Sequence, residues 1–133
     1  MSGQWVSYLY MPASRVSARV VYSGSLYQVN HRYSSALCDC MAFWCSGEDH
    51  VYALELKNGS FDVLKVARQL QGGADVISEV VQATPTKFYP VLVHSEGVNA
   101  IARKALARCR VNFRGRAYRI FTARCGSSLS QFG

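Results

Sequence analysis

Residues 37–57 read LCDCMAFWCSGEDHVYALELK, two mostly apolar runs separated by turn-forming residues. The runs 37–45 and 51–57 have the length and the aromatic and β-branched content of strands, and 46–49 has the composition of a turn. Side chains alternate between the two faces of a strand, so the second run separates into two sets: Val51, Ala53, Glu55 and Lys57 on one face, and Tyr52, Leu54 and Leu56 on the other. The sequence therefore predicts a hairpin with charged residues on one face.

The register of this hairpin decides whether the carboxylates of Asp39 and Glu55 meet. If residues 47–49 form the loop, Asp39 lies opposite Lys57 and diagonal to Glu55 on the same face. A loop of two or four residues would turn Asp39 to the other face, because a slip of one residue inverts a strand. We therefore expect the loop to be 47–49.

The next segment predicts a long amphipathic helix. Asn58-Gly59-Ser60 breaks the second strand, and Ser60 can cap a helix that has Asp62 in its first turn. Apolar residues then recur at helical spacing, at Val63, Val66, Ala67, Leu70, Ala74, Ile77 and Val81. Gly72-Gly73 in the middle of this helix indicates a kink or a close contact with the sheet.

The remaining segments predict a mixed sheet. Residues 88–93 are typical of a buried strand, 98–108 of a second helix, and 111–113 with 117–121 of a hairpin that has Arg114-Gly115-Arg116 at its tip. Residues 25–30 are expected to form a short strand, 5–10 a strand or a poor helix, and 13–22 are ambiguous. A strand–helix–strand crossover among antiparallel hairpins gives an α/β fold with a mixed sheet.

Length and composition favour one globular domain spanning 1–133. The 133 residues are enough for one core, and no apolar run approaches the ~18 residues of a membrane span. The first residues lack the features of a signal peptide, so we expect a soluble, cytoplasmic protein without a membrane partner. The five cysteines are an odd number, which argues against a disulfide framework. Cys38, Cys40 and Cys45 leave a zinc site open as an alternative, although their spacing is not that of a zinc knuckle.

Charge is unevenly distributed along the chain. All eight acidic residues lie between Asp39 and Glu96, whereas both ends are basic and the formal net charge is +7. A basic surface beside an acidic cluster suits a polyanion held against a cation site. Six basic residues near the C-terminal end are candidates for phosphate contacts: Arg103, Lys104, Arg108, Arg114, Arg116 and Arg119. A basic face that blocks aggregation at edge strands is the alternative interpretation of these residues.

The charged face of the hairpin has the groups that phosphodiester hydrolysis needs. Asp39 and Glu55 can share a Mg²⁺ or Mn²⁺ ion, with the backbone carbonyl of Leu56 as a third oxygen. Lys57 can orient or deprotonate the attacking water, or neutralise charge in the transition state. A surface Glu–Lys pair without function is the alternative.

The chain resembles the PD-(D/E)XK nuclease superfamily, which has the restriction-endonuclease-like fold. The resemblance is carried by Cys38-Asp39-Cys40, Leu54-Glu55-Leu56-Lys57 and the helical segment 68–74, and it covers about 30–125. It implies that Asp39 and Glu55 are metal ligands and Lys57 the catalytic lysine. It also implies that a glutamine on the helix, Gln69 or alternatively Gln71, orients the water or substrate.

The sequence departs from that family at two places. Cys38 replaces the proline, and no acidic residue precedes Asp39, so a third carboxylate ligand is missing or replaced, with His31 as a candidate. The first hypothesis is a Mg²⁺-dependent nuclease, and we expect its substrate to be DNA. We expect a homodimer or a place in a protein complex, because one small domain offers one active site and little surface to select a sequence. Small proteins resembling this superfamily serve in DNA repair, junction resolution, mobile-element and phage-defence systems. The second hypothesis is a catalytically inactive subunit that binds nucleic acid or scaffolds a complex.

Overall fold

The computed structural model of the protein describes residues 18–46, 48–81 and 86–132. The expectation for 5–10 and most of the ambiguous segment 13–22 therefore lie outside the described residues. The strands are β1 (Ala18–Ser23), β2 (Cys40–Ser46), β3 (Glu48–Lys57), β4 (Thr86–His94), β5 (Arg110–Phe113), β6 (Arg116–Arg119) and β7 (Phe121–Arg124). The helices are α1 (Gly24–His31), α2 (Val63–Val80) and α3 (Ala100–Arg108), followed by a short 3₁₀ helix, Leu129–Phe132.

The main sheet is mixed, which confirms the predicted α/β class. Its strand order is β1-β2-β3-β4-β7, with β5 and β6 forming a separate two-stranded sheet. The pairs β1–β2 and β2–β3 are antiparallel, whereas β3–β4 and β4–β7 are parallel. Helix α2 is the crossover between β3 and β4, as parallel neighbours require.

The two faces of β3 enter different apolar clusters, as the alternation predicts. Val51 and Ala53 pack in a cluster to which α1, α2 and α3 contribute, through Tyr27, Leu70 and Leu106 among others. Tyr52 and Leu54 pack with residues of β2, β4 and β7 on the other face. Glu55 follows Val51 and Ala53 and is therefore on the helix-covered face.

The glycine pair in α2 marks a close approach, and the helix continues through it. A Cβ on Gly72 would be 1.9 Å from the carbonyl oxygen of Ala36, and one on Gly73 would be 2.5 Å from Sγ of Cys38. Only glycine allows α2 to pack this tightly on the segment that leads into β2. The predicted N-cap is wrong by two positions, because the side chain of Asp62 accepts hydrogen bonds from the N–H groups of Leu64 and Lys65.

The predicted hairpin exists, but its loop is shorter than expected. Ser46 pairs with Glu48 and Cys40 with Leu54, so a loop of 47–49 is wrong. The first strand also begins at Cys40, and not at residue 37. The register differs from the prediction by two positions, which preserves the face. One step beyond the Cys40–Leu54 pair, Asp39 lies across from Glu55 and not from Lys57.

Two further predictions are wrong. Residues 25–30 belong to α1, where the Ser23 side chain accepts a hydrogen bond from the N–H of Leu26 and Arg32 adopts a left-handed C-cap. Residues 117–121 are divided between two sheets. Strand β6 pairs with β5, whereas β7 pairs in parallel with Val91–His94 of β4. Both outcomes depend on partners that are distant in sequence.

Candidate active site

Asp39, the residue that precedes β2, is joined to β3 by two hydrogen bonds, one to Glu55 and one to Leu56. The backbone N–H of Asp39 donates to Oε1 of Glu55 over 3.1 Å. The backbone N–H of Leu56 donates to Oδ2 of Asp39 over 2.9 Å. The Glu55 carboxylate therefore lies against the backbone of Asp39 and the Asp39 carboxylate against β3, which brings the two acidic groups together at one end of β3.

Glu55 is a buried carboxylate, only 1% exposed. Its Oε2 lies 3.1 Å from Nζ of Lys57. Burial and the nearby charge of Asp39 raise the pKa of Glu55 to about 7, although Lys57 and the hydrogen bond from Asp39 act in the opposite direction. Removal of a carboxylate from water is costly unless a cation or donors compensate. Lys57 and the Asp39 N–H compensate only in part, so Glu55 is poised to take up either a proton or a cation.

The donor set fits a divalent cation that prefers oxygen. An ionised carboxylate offers two lone pairs on each oxygen, and the contacts described here use at most one per oxygen. A strand residue directs its N–H and C=O to the same neighbouring strand. The Leu56 N–H bonds to Asp39, so the Leu56 carbonyl also points to that side. The Lys57 carbonyl points the other way and accepts from the N–H of Ser95 at 3.3 Å. Asp39, Glu55 and the Leu56 carbonyl, the predicted ligands, are therefore adjacent.

The two candidate glutamines have different surroundings. Gln71 is bound to β5, because its Nε2 donates to the Asn112 carbonyl and its Oε1 accepts from the Asn112 N–H, both over 2.8 Å. Gln69 lines a cavity beside Asp39. Its Oε1 is buried and has no hydrogen-bond partner within the described part of the chain. The structure thus places Gln69 near the carboxylates, whereas Gln71 connects α2 to β5.

The cavity beside Asp39 contains basic residues that the sequence analysis missed. Its volume is about 380 Å³, and Lys65 and Arg68 of α2 line it together with Gln69. Ser25 and Gln28 of α1 line the opposite side. Lys65, Arg68 and Gln69 are spaced i, i+3 and i+4, the spacing that places residues on one side of a helix. This spacing is visible in the sequence and could have identified Lys65 and Arg68 as neighbours of Gln69.

A basic row lies beside the acidic pair, and it includes two residues that the sequence analysis did not select. Lys57 pairs with His94 across β3 and β4, and His94 pairs with Arg124 across β4 and β7. His94 is buried, and burial together with the charges of Arg124 and Arg103 lowers its pKa. Its Nδ1 accepts from the N–H of Gly97 over 3.1 Å. The carboxyl ends of parallel strands meet at one edge, which is the signal that could have identified His94.

The alternative ligands lie elsewhere. His31 stacks on Tyr27 with ring centroids 4.0 Å apart and lines a different cavity from Asp39. Cys38 packs in the helix-covered cluster, whereas Cys40 packs against the other. The side chain of Cys45 lies outside the described residues. Among the residues described, no three or more His, Cys, Asp or Glu side chains are grouped as metal ligands.

The predicted phosphate-contacting residues occupy two places. Arg103, Lys104 and Arg108 lie on exposed positions of α3, and Arg103 and Arg119 line a cavity of about 410 Å³ with Arg110. Arg114 donates to the Val81 carbonyl at the end of α2. Arg116 lies 5.9 Å from the centroid of the Tyr118 ring. Arg114 thus also holds the hairpin to α2, while the α3 residues are available to solvent.

Comparison with known proteins identifies no relative of this chain. None of the described helices is both long and apolar enough to cross a membrane. Neither a family model, nor a curated protein, nor a solved structure matches the chain.

Proposed function

We propose that the protein is a Mg²⁺-dependent nuclease that hydrolyses phosphodiester bonds of DNA, with a restriction-endonuclease-like fold. The observation that carries the proposal is the bonding of Asp39 to Glu55 and to the Leu56 N–H, with Lys57 Nζ 3.1 Å from Glu55. Two carboxylates and an ammonium at one point of a sheet form the group that the PD-(D/E)XK resemblance implies.

Asp39, Glu55 and the Leu56 carbonyl would hold the ion. Bound Mg²⁺ supplies charge stabilisation at the scissile phosphate and a more acidic water. Glu55 would enter this role as the anion, because hard cations bind the ionised carboxylate and compete with its proton. Asp39 is exposed and lines the cavity, so it faces the side from which a substrate approaches.

Lys57 and Gln69 would act on the water and the substrate. The Lys57 side chain is three-quarters buried beside Glu55, and its ammonium can donate hydrogen bonds to a phosphate oxygen as charge develops there. Gln69 can accept a hydrogen bond at its buried Oε1. Arg124 adds positive charge at the same sheet edge, which favours a polyanion beside the acidic pair.

The second candidate is a subunit that binds nucleic acid without cleaving it. It is favoured by the absence of an acidic residue before Asp39 in the sequence and of a three-residue ligand group among the residues described. Both candidate functions would use the same DNA-binding surface, but only the nuclease would cleave the bound DNA. A homodimer or a larger assembly, a defence or repair role and a cytoplasmic location stay predictions.

Cleavage of a supercoiled plasmid and of a single-stranded circle, with Mg²⁺ or Mn²⁺, tests the proposal. We expect Glu55→Gln and Lys57→Ala each to lower the rate by about 10²–10³-fold, the usual effect of removing one electrostatic group from an active site. Lys87→Gln is the matched control, because Lys87 is an exposed cation near the beginning of β4, far along that strand from His94. Cleavage that is equal in wild type, Glu55→Gln and Lys57→Ala would contradict the nuclease. DNA binding with no cleavage in either metal would support the second candidate.

A further inference from the structure

We infer that the cavity between α1 and α2 binds one unpaired nucleotide beside the reacting phosphate, so the substrate is single-stranded DNA or an unpaired end. That the ligand is part of a DNA strand rests on the proposed function. The cavity is lined by Lys65, Arg68 and Gln69 of α2, by Ser25 and Gln28 of α1, and by Asp39. Asp39 makes it continuous with the proposed metal ligands.

Away from Asp39, the lining suits a ligand that combines negative charge with a hydrogen-bond donor. Lys65 and Arg68 are exposed cations at the cavity, and phosphate oxygens are their natural partners. Gln69 has a buried Oε1 that is unpaired among the described residues. A buried acceptor without a partner is costly, and the N–H groups of a nucleobase edge would satisfy it once the Gln69 side chain turns its amide into the cavity. A nucleotide has both features.

The size of the cavity selects an unpaired nucleotide. Its volume of about 380 Å³ is at the lower end of cavities that hold one small ligand. A base inside a duplex is stacked and paired, so it can enter such a cavity only after being extruded. A single strand or a frayed end exposes its bases without that cost. The geometry therefore favours these substrates over continuous duplex.

The frame around the cavity is held by two glycine contacts. The N–H of Gly24 donates to the Asp39 carbonyl over 2.8 Å, and a Cβ on Gly24 would lie 1.9 Å from the Cys38 carbonyl oxygen. On the other side, Gly72 of α2 packs equally closely on Ala36. Both helices are thus packed directly on residues 36–39, which form the cavity floor. The residues that line the cavity therefore lie on backbone that is held in place before a ligand binds.

Binding measured without metal tests the inference separately from catalysis. The probe is a short labelled DNA strand, alone or annealed to its complement, titrated by fluorescence anisotropy in EDTA at several salt concentrations. We expect the single strand to bind at least about tenfold more tightly than the duplex, since extrusion of a base costs a few kcal/mol. Lys65→Gln and Arg68→Gln should each lower the slope of log affinity against log salt by about 0.7. Gln69→Leu should weaken single-strand binding about fivefold and leave the slope unchanged.

Lys87→Gln is again the matched control, and circular dichroism verifies the fold of each variant. Equal affinity for both probes, or equal effects of Lys65→Gln and Lys87→Gln, would overturn the inference. The cleavage assay separates the two proposals. Single-strand preference that depends on Gln69, without cleavage, supports the cavity and contradicts the nuclease. Cleavage without that preference supports the nuclease and contradicts the cavity.

Discussion

The carboxyl end of β3 and the β5–β6 hairpin are both rich in charge, but they hold it differently. At the end of β3, Glu55 is 1% exposed and its two described partners, Asp39 and Lys57, are themselves charged residues. On the hairpin, the guanidinium of Arg116 lies near the Tyr118 ring and Arg114 donates to a backbone carbonyl. The first arrangement disfavours the ionised form of the buried Glu55 carboxyl group. The second consists of exposed charges, which water stabilises. A site for chemistry is expected at the first.

The largest stability effect should come from the pH dependence of Glu55. Its pKa rises from the ordinary 4.5 to about 7 on folding, so between these values the folded protein binds more protons than the unfolded chain. The free energy of unfolding therefore falls as pH rises through that window. One pKa unit corresponds to about 1.4 kcal/mol, so the fall amounts to about 3 kcal/mol above pH 7. Glu55→Gln should lack this decrease.

Chemical denaturation of wild type and Glu55→Gln at pH 4.5 and pH 8, in EDTA, measures this effect. Mg²⁺ added at pH 8 should raise the stability of the wild type and leave that of Glu55→Gln unchanged, because ligands stabilise the state they bind. If the free energy of unfolding changed with pH in the same way for wild type and Glu55→Gln, Glu55 would behave like the exposed charges of the hairpin, which would contradict the prediction.

A second prediction concerns the two glutamines on α2. Gln69 lies beside Asp39 at the end of β3, and Gln71 is bonded to β5 of the hairpin. Gln71→Leu should lower the free energy of unfolding by about 2 kcal/mol, because the Asn112 N–H and carbonyl lose their partner. Gln69→Leu should change stability little, since its Oε1 has no partner to lose among the described residues. Urea denaturation of both variants gives the comparison. Equal destabilisation would mean that Gln69 has a structural role after all.

The smallest effects should come from the hairpin arginines. Arg116→Gln should alter the free energy of unfolding by less than about 0.5 kcal/mol, as is usual for exposed positions. If the hairpin contacts DNA, the same substitution lowers the salt slope of duplex binding by about 0.9. Anisotropy titrations at several salt concentrations measure this slope. An unchanged slope would favour the interpretation that the arginines serve only as a basic face.

Local patterns identified most of the helices and strands, because the forces that shape them act over short distances. The apolar spacing predicted α2 nearly to its ends, and the alternation in 51–57 assigned each side chain of β3 to its face. The hairpin tip was predicted at 114–116; the turn contains Arg114 and Gly115, which both adopt positive φ angles, whereas Arg116 already begins β6. Helix α1 was missed because its segment has few internal helix signals, and its single buried non-glycine residue, Tyr27, packs against distant parts of the chain.

Local sequence patterns were enough to predict the α/β class, the crossover helix α2 and the proximity of Asp39, Glu55 and Lys57. The hairpin register, the separation of β6 from β7, and the different surroundings of Gln69 and Gln71 became visible in the folded chain. It also placed Lys65, Arg68 and His94 around the acidic pair. The physical reason is that burial, register and charge coupling depend on residues far apart in the chain, whose proximity no local pattern encodes.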